Sequence, residues 1–234
     1  MSIAENIARV RERIGAAARR AGRNPEEISL MAVTKTVPPE RIREAYNAGI
    51  RIFGENRVRD FADKAELLRD LADAEWHMIG HLQTNKTAKA AEFFAAVDSV
   101  DSLRLAHKLN DSAQLFEKRM AVLLEVNVGG EVAKSGVAPD SHELEDILQA
   151  APQLQRLEIR GLMTIPPFTE DPQQARPCFQ KLRRLRDQIA ARALPAVRMD
   201  VLSMGMSHDF EMAIEEGSTC VRVGTAIFGE RVPA

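Results

Sequence analysis

Eight short apolar runs recur along the sequence, each followed by a stretch of helical periodicity, and this alternation limits the fold more than any other feature. The runs are SLMAVTK (29–35), IRIFGEN (50–56), WHMIGHL (76–82), FFAAVDSV (93–100), MAVLLEVNV (120–128), LEIRGLMTI (157–165), VRMDVLSMG (197–205) and STCVRVGTAIFG (218–229). A helix opens the chain, with Ile3, Ile7, Val10 and Ile14 on one face. Further helical stretches follow the runs: PPERIREAYNAG stopping at Gly49, a segment with Val58, Phe61, Ala65 and Leu68 in phase, TNKTAKAAE, SLRLAHKLNDSAQLF behind a cap at Asp101 or Ser102, and the spans 140–151, 172–193 and 208–216. Strands that alternate with helices require a parallel sheet, and eight such units in 234 residues match the size of a (β/α)8 TIM barrel. An open doubly wound sheet is the alternative within the α/β class, but the G-x-G-x-x-G turn expected after its first strand is absent.

At ~150 residues per domain the length corresponds to roughly 1.6 domains. The regular repeat and the lack of a Pro/Gly/Ser-rich linker favour one domain over 1–234. Apolar residues at 45% and charged residues at 28% suffice for a full core and argue against disorder. A net charge of −2 gives no general attraction to nucleic acid or to an anionic membrane. Cys178 and Cys220 lack C-x-x-C spacing, so neither a zinc site nor a disulfide framework is expected and a reducing, cytoplasmic setting is the simplest reading. The amino terminus is charged from Glu5 onward with no apolar core of a leader, and runs such as MAVLL (120–124) are far below membrane length. The helices carry no additional apolar stripe, which predicts a monomer.

In such a barrel the site lies at the carboxyl ends of the strands, with phosphate often bound after strands seven and eight. Period-two alternation places Met31, Val33 and Lys35 on one face of the first strand; if that face points inward, an amine sits in the barrel mouth. Desolvation favours a neutral amine, the nucleophile that condenses with an aldehyde, while the alternative is a lysine that merely reaches solvent. Lys86 and Lys134, in polar loops, are weaker candidates. Ser207 reads as the N-cap of the helix 208–216, leaving unpaired N–H groups that suit an anion, and Gly224 with Thr225 offers a second set at another helix start. Arg222 shares a strand face with Cys220 and Gly224 and, once buried, needs an acceptor: either a carboxylate such as Glu125 or the ring nitrogen of an aromatic cofactor. Glu55 and Asn56 end the second strand, where they could bind a ligand hydroxyl or brace a loop. His77 and His81 do not match a metal-binding spacing, and His77, His107 and His142 receive no role. His208 beside Asp209 reads as a solvated pair at a helix start.

Taken together, AVTK (32–35), FGEN (53–56), WHMIGHLQTNK (76–86), EVAKSG (131–136), RGLMTIP (160–166), LSMGMSHD (202–209) and VRVGTAIFGER (221–231) resemble the pyridoxal phosphate homeostasis protein family, the YggS/PROSC-like proteins. The resemblance runs from about residue 5 to the end. It implies a barrel similar to the amino-terminal domain of alanine racemase, holding pyridoxal 5′-phosphate (PLP) as a Schiff base. Carried over motif by motif, it implies that Lys35 bears PLP and that Ser207, Gly224 and Thr225 bind its phosphate. It further implies that Arg222 faces the pyridine nitrogen and that Asn56 and Met163 lie near the ring. Arg57 after GEN and Phe210 after HD depart from the family pattern at the expected open face of the site.

The resemblance also implies a protein that buffers or delivers PLP without robust catalysis, with PLP-dependent apoenzymes as the partners it would serve. The competing expectation is an amino-acid racemase. A two-base racemase needs a second acid–base group opposite the lysine, commonly a tyrosine, and the one tyrosine here, Tyr46, is predicted on the helix after the first strand. The 234 residues leave no length for the additional domain that would supply another. A Schiff-base aldolase would instead need a carboxylate beside Lys35, with Glu55 and Glu125 as candidates.

Overall fold

The structure is a computed structural model that describes residues 1–131 and 135–230. The opening helix α1 (Ile3–Arg20) starts at a capping box, with Ser2 Oγ accepting from the Glu5 N–H and the Glu5 carboxylate accepting from the Ser2 N–H. Its Ile3, Ile7, Val10 and Ile14 face is buried as the spacing predicts.

Eight strands follow: β1 (Ser29–Val33), β2 (Ile52–Glu55), β3 (Glu75–Met78), β4 (Ala96–Val100), β5 (Met120–Glu125), β6 (Leu157–Met163), β7 (Val197–Met206) and β8 (Cys220–Val223). All pair in parallel in sequence order, and β8 closes on β1 through Met31 opposite Arg222. Helices α2 (Pro39–Asn47), α3 (Val58–Ala65), α4 (Thr87–Phe93), α5 (Leu103–Leu115), α6 (His142–Ala150), α7 (Arg176–Ala191) and α8 (Phe210–Glu215) fill the crossovers, and α9 (Thr225–Phe228) follows β8. Ser102, rather than Asp101, caps α5 by accepting from the Leu105 N–H. The expected (β/α)8 barrel is what the chain forms.

Most strands stop short of the runs that announce them. Phe93, placed in the fourth strand by hydropathy, closes α4. The run 218–229 splits into β8 and α9 at Gly224. After β1 the chain turns at once, with Thr36 at φ 63° and Pro38–Pro39 leading into α2. Lys35 therefore belongs to a turn and not to the strand whose alternation was used to orient it.

Alternation along each strand separates two cores. Ala32, Phe53, Val97, Val122, Leu124, Leu162, Leu202, Val221 and Val223 face the helix layer and pack with residues such as Ile42, Phe61, Leu109, Ile147 and Phe179. Met31, Ile79 and Cys220, flanked by Val33, Ile52 and Val201, fill the barrel interior. Gly54 is part of that filling, since a Cβ there would lie 2.8 Å from the Met31 sulfur and 2.9 Å from Ile79 Cδ1. The interior also carries polar groups that satisfy one another, including His77 Nδ1 to Asp98 at 3.1 Å and Arg222 to Ser203 at 2.7 Å. No helix among the described residues is long and apolar enough to cross a membrane.

Candidate functional site

The candidate residues converge at the carboxyl ends of the strands. Met31 and Val33 point into the barrel, so β1 aims the turn bearing Lys35 at the mouth, where Lys35 is half-buried. The neighbouring residue is clamped: Thr34 Oγ1 donates to Glu55 Oε1 at 2.7 Å, and Lys64 Nζ donates both to that oxygen at 2.6 Å and to the Thr34 carbonyl at 3.1 Å. Glu55 is fully buried on the helix-facing side of β2. Of its two expected roles, bracing a loop is the one the structure shows, and it fixes the backbone next to Lys35. A Schiff-base aldolase arrangement loses Glu55 for the same reason. Lys86 is exposed, and Lys134 lies outside the described residues.

Across β8, Gly224 leaves its strand beside β1, where a Cβ would sit 3.4 Å from the Val33 carbonyl oxygen and 3.5 Å from Val33 Cβ. The N–H groups of Gly224 and Ala226 both donate to Ser207 Oγ at 3.3 Å, with Thr225 exposed between them. Contrary to the sequence expectation, Ser207 is therefore not the N-cap of α8. Asp209 holds that position, its Oδ1 accepting from the Met206 N–H at 2.6 Å, and the helix begins only at Phe210. The serine is released to face α9 because Asp209 closes the turn in its place. Two backbone N–H groups gathered on one hydroxyl oxygen, which keeps its own O–H to donate, and bordered by a residue without a side chain, are donors that a phosphate oxygen can take over.

Arg222 is 3% exposed. Nη1 donates to Ser203 Oγ at 2.7 Å and Nη2 to the Thr164 carbonyl at 2.8 Å, which uses two of the five N–H donors of the guanidinium. Glu125, the carboxylate partner offered by sequence, makes no hydrogen bond to it among the described residues. Burial pulls the guanidinium below its usual range, while Cys220, Asp98, Asp209 and Glu125 act in the opposite sense. The acceptors it has are neutral, so a further acceptor in the mouth is compatible with its remaining donors. Cys220, buried beside it, has its thiol pushed up to about 12 by burial and is not a thiolate nucleophile.

Met163 ends β6, fully buried and in register with Glu125 on one side and Ser203 on the other. Asn56 follows β2, half-buried, its backbone covering Gly80 at a distance that admits no side chain there. His77, assigned no function, is half of a buried pair with Asp98; burial lowers its pKa, but the Asp98 carboxylate outweighs this and raises it to about 9. Phe210 is buried beneath the Arg13 guanidinium, 4.6 Å from its ring centre, and Arg57 is exposed at the start of α3. The departure at Phe210 thus concerns helix packing and leaves the mouth unchanged. His208 is exposed, with its ring against the Glu170 carbonyl and Phe168, but Asp209 is buried as the cap of α8, so the expected solvated pair holds for the histidine and not for the aspartate. Sequence reasoning passed over Ser203 and Thr164 and weighed Asp101 only as a helix cap, because their relevance depends on contacts between strands.

A cleft of about 380 Å3 lined by Arg11, Pro25, Leu30 and Arg51 opens at the opposite pole. Its two arginines are already engaged, by the Gly49 carbonyl and by Asp73. No cluster of three or more metal-ligating side chains occurs among the described residues.

The sequence matches the family described as alanine racemase, N-terminal domain, over residues 2–232. The pyridoxal phosphate homeostasis protein of Aquifex aeolicus is 48% identical over 231 residues, which cover 99% of each chain. The solved structure of PipY from Synechococcus elongatus with PLP bound superposes with a TM-score of 0.85 at 38% identity, over 97% of this chain and 100% of that one. An alanine racemase from Clostridium difficile, at 14% identity, shares the fold with a TM-score of 0.75 over 99% of this chain and 57% of the racemase.

Proposed function

The chain belongs to the pyridoxal phosphate homeostasis protein family, and from that premise we propose that it binds PLP in the barrel mouth and serves intracellular PLP homeostasis as a carrier or buffer. The observation that carries this reading is the convergence of the Ser207 hydroxyl with the Gly224 and Ala226 amides, one strand away from the Lys35 turn. PLP supplies an aldehyde. The residues present fit its other groups: Lys35 offers the amine that condenses with it, Ser207, Gly224 and Thr225 the phosphate donors, and Arg222 a donor for the ring nitrogen. Asn56 and Met163 border the ring. A guanidinium cannot readily give up its proton, so it holds the ring nitrogen unprotonated and weakens the ring as an electron sink.

The position of Tyr46 supports low turnover. Its hydroxyl donates to Asp73 on the outer layer, and the Arg51 guanidinium stacks 4.1 Å from its ring centre, so it cannot serve as a second acid–base group at the mouth. Every group named here comes from one chain, so a monomer suffices. Titrating the apoprotein with PLP and with pyridoxal, which lacks the phosphate, tests the reading. PLP should bind tightly and induce a visible absorbance band, whereas equal affinity for both ligands would contradict the phosphate cradle.

A further inference from the structure

Glu125 ends β5 on the interior side of the barrel, in the row that runs through Met163 and Ser203 to Cys220. It is 6% exposed, and its Oε2 has no hydrogen-bond partner among the described residues. A buried carboxyl oxygen without a partner carries a desolvation penalty that a ligand can relieve. PLP has four polar groups, and the phosphate, the ring nitrogen and the aldehyde have partners in Ser207/Gly224/Thr225, Arg222 and Lys35. The ring hydroxyl remains, and so does Glu125.

We propose that Glu125 is a further ligand-contacting residue of this site, donating a hydrogen bond from its protonated carboxyl to the ring hydroxyl oxygen of PLP, and that this bond makes PLP retention fall as pH rises. The inference rests on the PLP-binding reading above. An ionised carboxylate could only accept, and beside the ring oxygen it would set one acceptor against another with no proton between them.

The surroundings favour the protonated form. Burial raises the Glu125 pKa, the Asp101 carboxylate raises it further, and Arg222 and His81 oppose them; the balance lies at about 7. Asp101 follows β4 and lies 3.2 Å from His81 Nδ1. Met163, next on β6, is uncharged. Asp98 is engaged by His77 deeper in the barrel, and Glu131, on the loop after β5, is exposed. A ring oxygen that accepts from the carboxyl pushes it further toward protonation, so binding of PLP takes up a proton close to neutrality.

The test is a cycle of two protein forms and two ligands. PLP and 3-deoxypyridoxal 5′-phosphate, which lacks the ring hydroxyl, are titrated into wild type and Glu125→Gln from pH 6 to 9. Glutamine is isosteric and donates at every pH. Wild type should bind PLP at least threefold more weakly at pH 9 than at pH 6 from this group, Glu125→Gln should lose that part of the pH dependence, and the difference between the two proteins should vanish with the 3-deoxy ligand. Identical pH profiles for the two proteins, or a difference that persists with the 3-deoxy ligand, would overturn the assignment. If wild type binds neither ligand at any pH, the PLP-binding reading itself fails, a result distinct from either of those. Glu125→Leu, which removes the donor, should weaken PLP at pH 6 and leave the 3-deoxy ligand unaffected.

Discussion

Arg222 donates to the hydroxyl of Ser203 at 2.7 Å, from one strand to the next inside the closed barrel. With the Thr164 carbonyl as its second acceptor, the guanidinium is held by neutral groups on both sides and fixed in direction. Ser203→Ala should remove one net hydrogen bond, costing about 1 kcal/mol in urea unfolding. It should also weaken PLP binding several-fold, because the donor proposed for the ring nitrogen loses its orientation. Unchanged affinity would separate Arg222 from the cofactor.

Ser207→Ala removes the hydroxyl on which two amides converge. The expected result is about tenfold weaker PLP binding, corresponding to ~1.4 kcal/mol, with pyridoxal affinity unaltered. Isothermal titration with both ligands measures it, and an equal loss for both would place Ser207 outside the phosphate cradle.

His77, held protonated by Asp98, makes stability pH-dependent. Its pKa rises on folding from 6.5 to about 9, so the folded state binds the extra proton. The resulting stability is fully present below pH 6.5 and is lost as pH climbs through about 9; it is on the order of 3 kcal/mol. Unfolding of the apoprotein at pH 6, 8 and 10 should follow this fall, and His77→Gln should flatten it.

Gly161 lies at a break in the β6–β7 register, where a Cβ would overlap the Val201 carbonyl. Gly161→Ala should therefore destabilise the barrel by about 3 kcal/mol or more, because backbone on both sides would have to move. Thermal unfolding provides the measurement.

The barrel was legible because each crossover repeats the same change of period, from apolar runs to spaced apolar faces. The candidate site was legible in residue type and approximate place: Lys35 after β1, and Ser207 and Gly224 after β7 and β8, with their roles toward PLP a proposal. The bonding of Ser207 was not, since MSHD contains two capping residues and only the fold shows that Asp209 takes the cap. Alternation also could not orient Lys35, which lies in a turn. Glu55 and Glu125 both end strands but on opposite faces: Glu55 meets Lys64 of α3 in the helix layer, and Glu125 faces the mouth among Asp101, His81 and Arg222. The partners each one meets come from distant segments and leave no local pattern.

The central claim is that Lys35 holds PLP in the barrel mouth. Absorbance of the PLP-loaded protein before and after borohydride reduction, followed by peptide mapping, tests it most directly. The account predicts a visible band that reduction abolishes, with the cofactor recovered covalently on the peptide bearing Lys35, and no such product from Lys35→Ala. A protein that stays colourless with added PLP, or a label fixed reproducibly on another lysine, would contradict it.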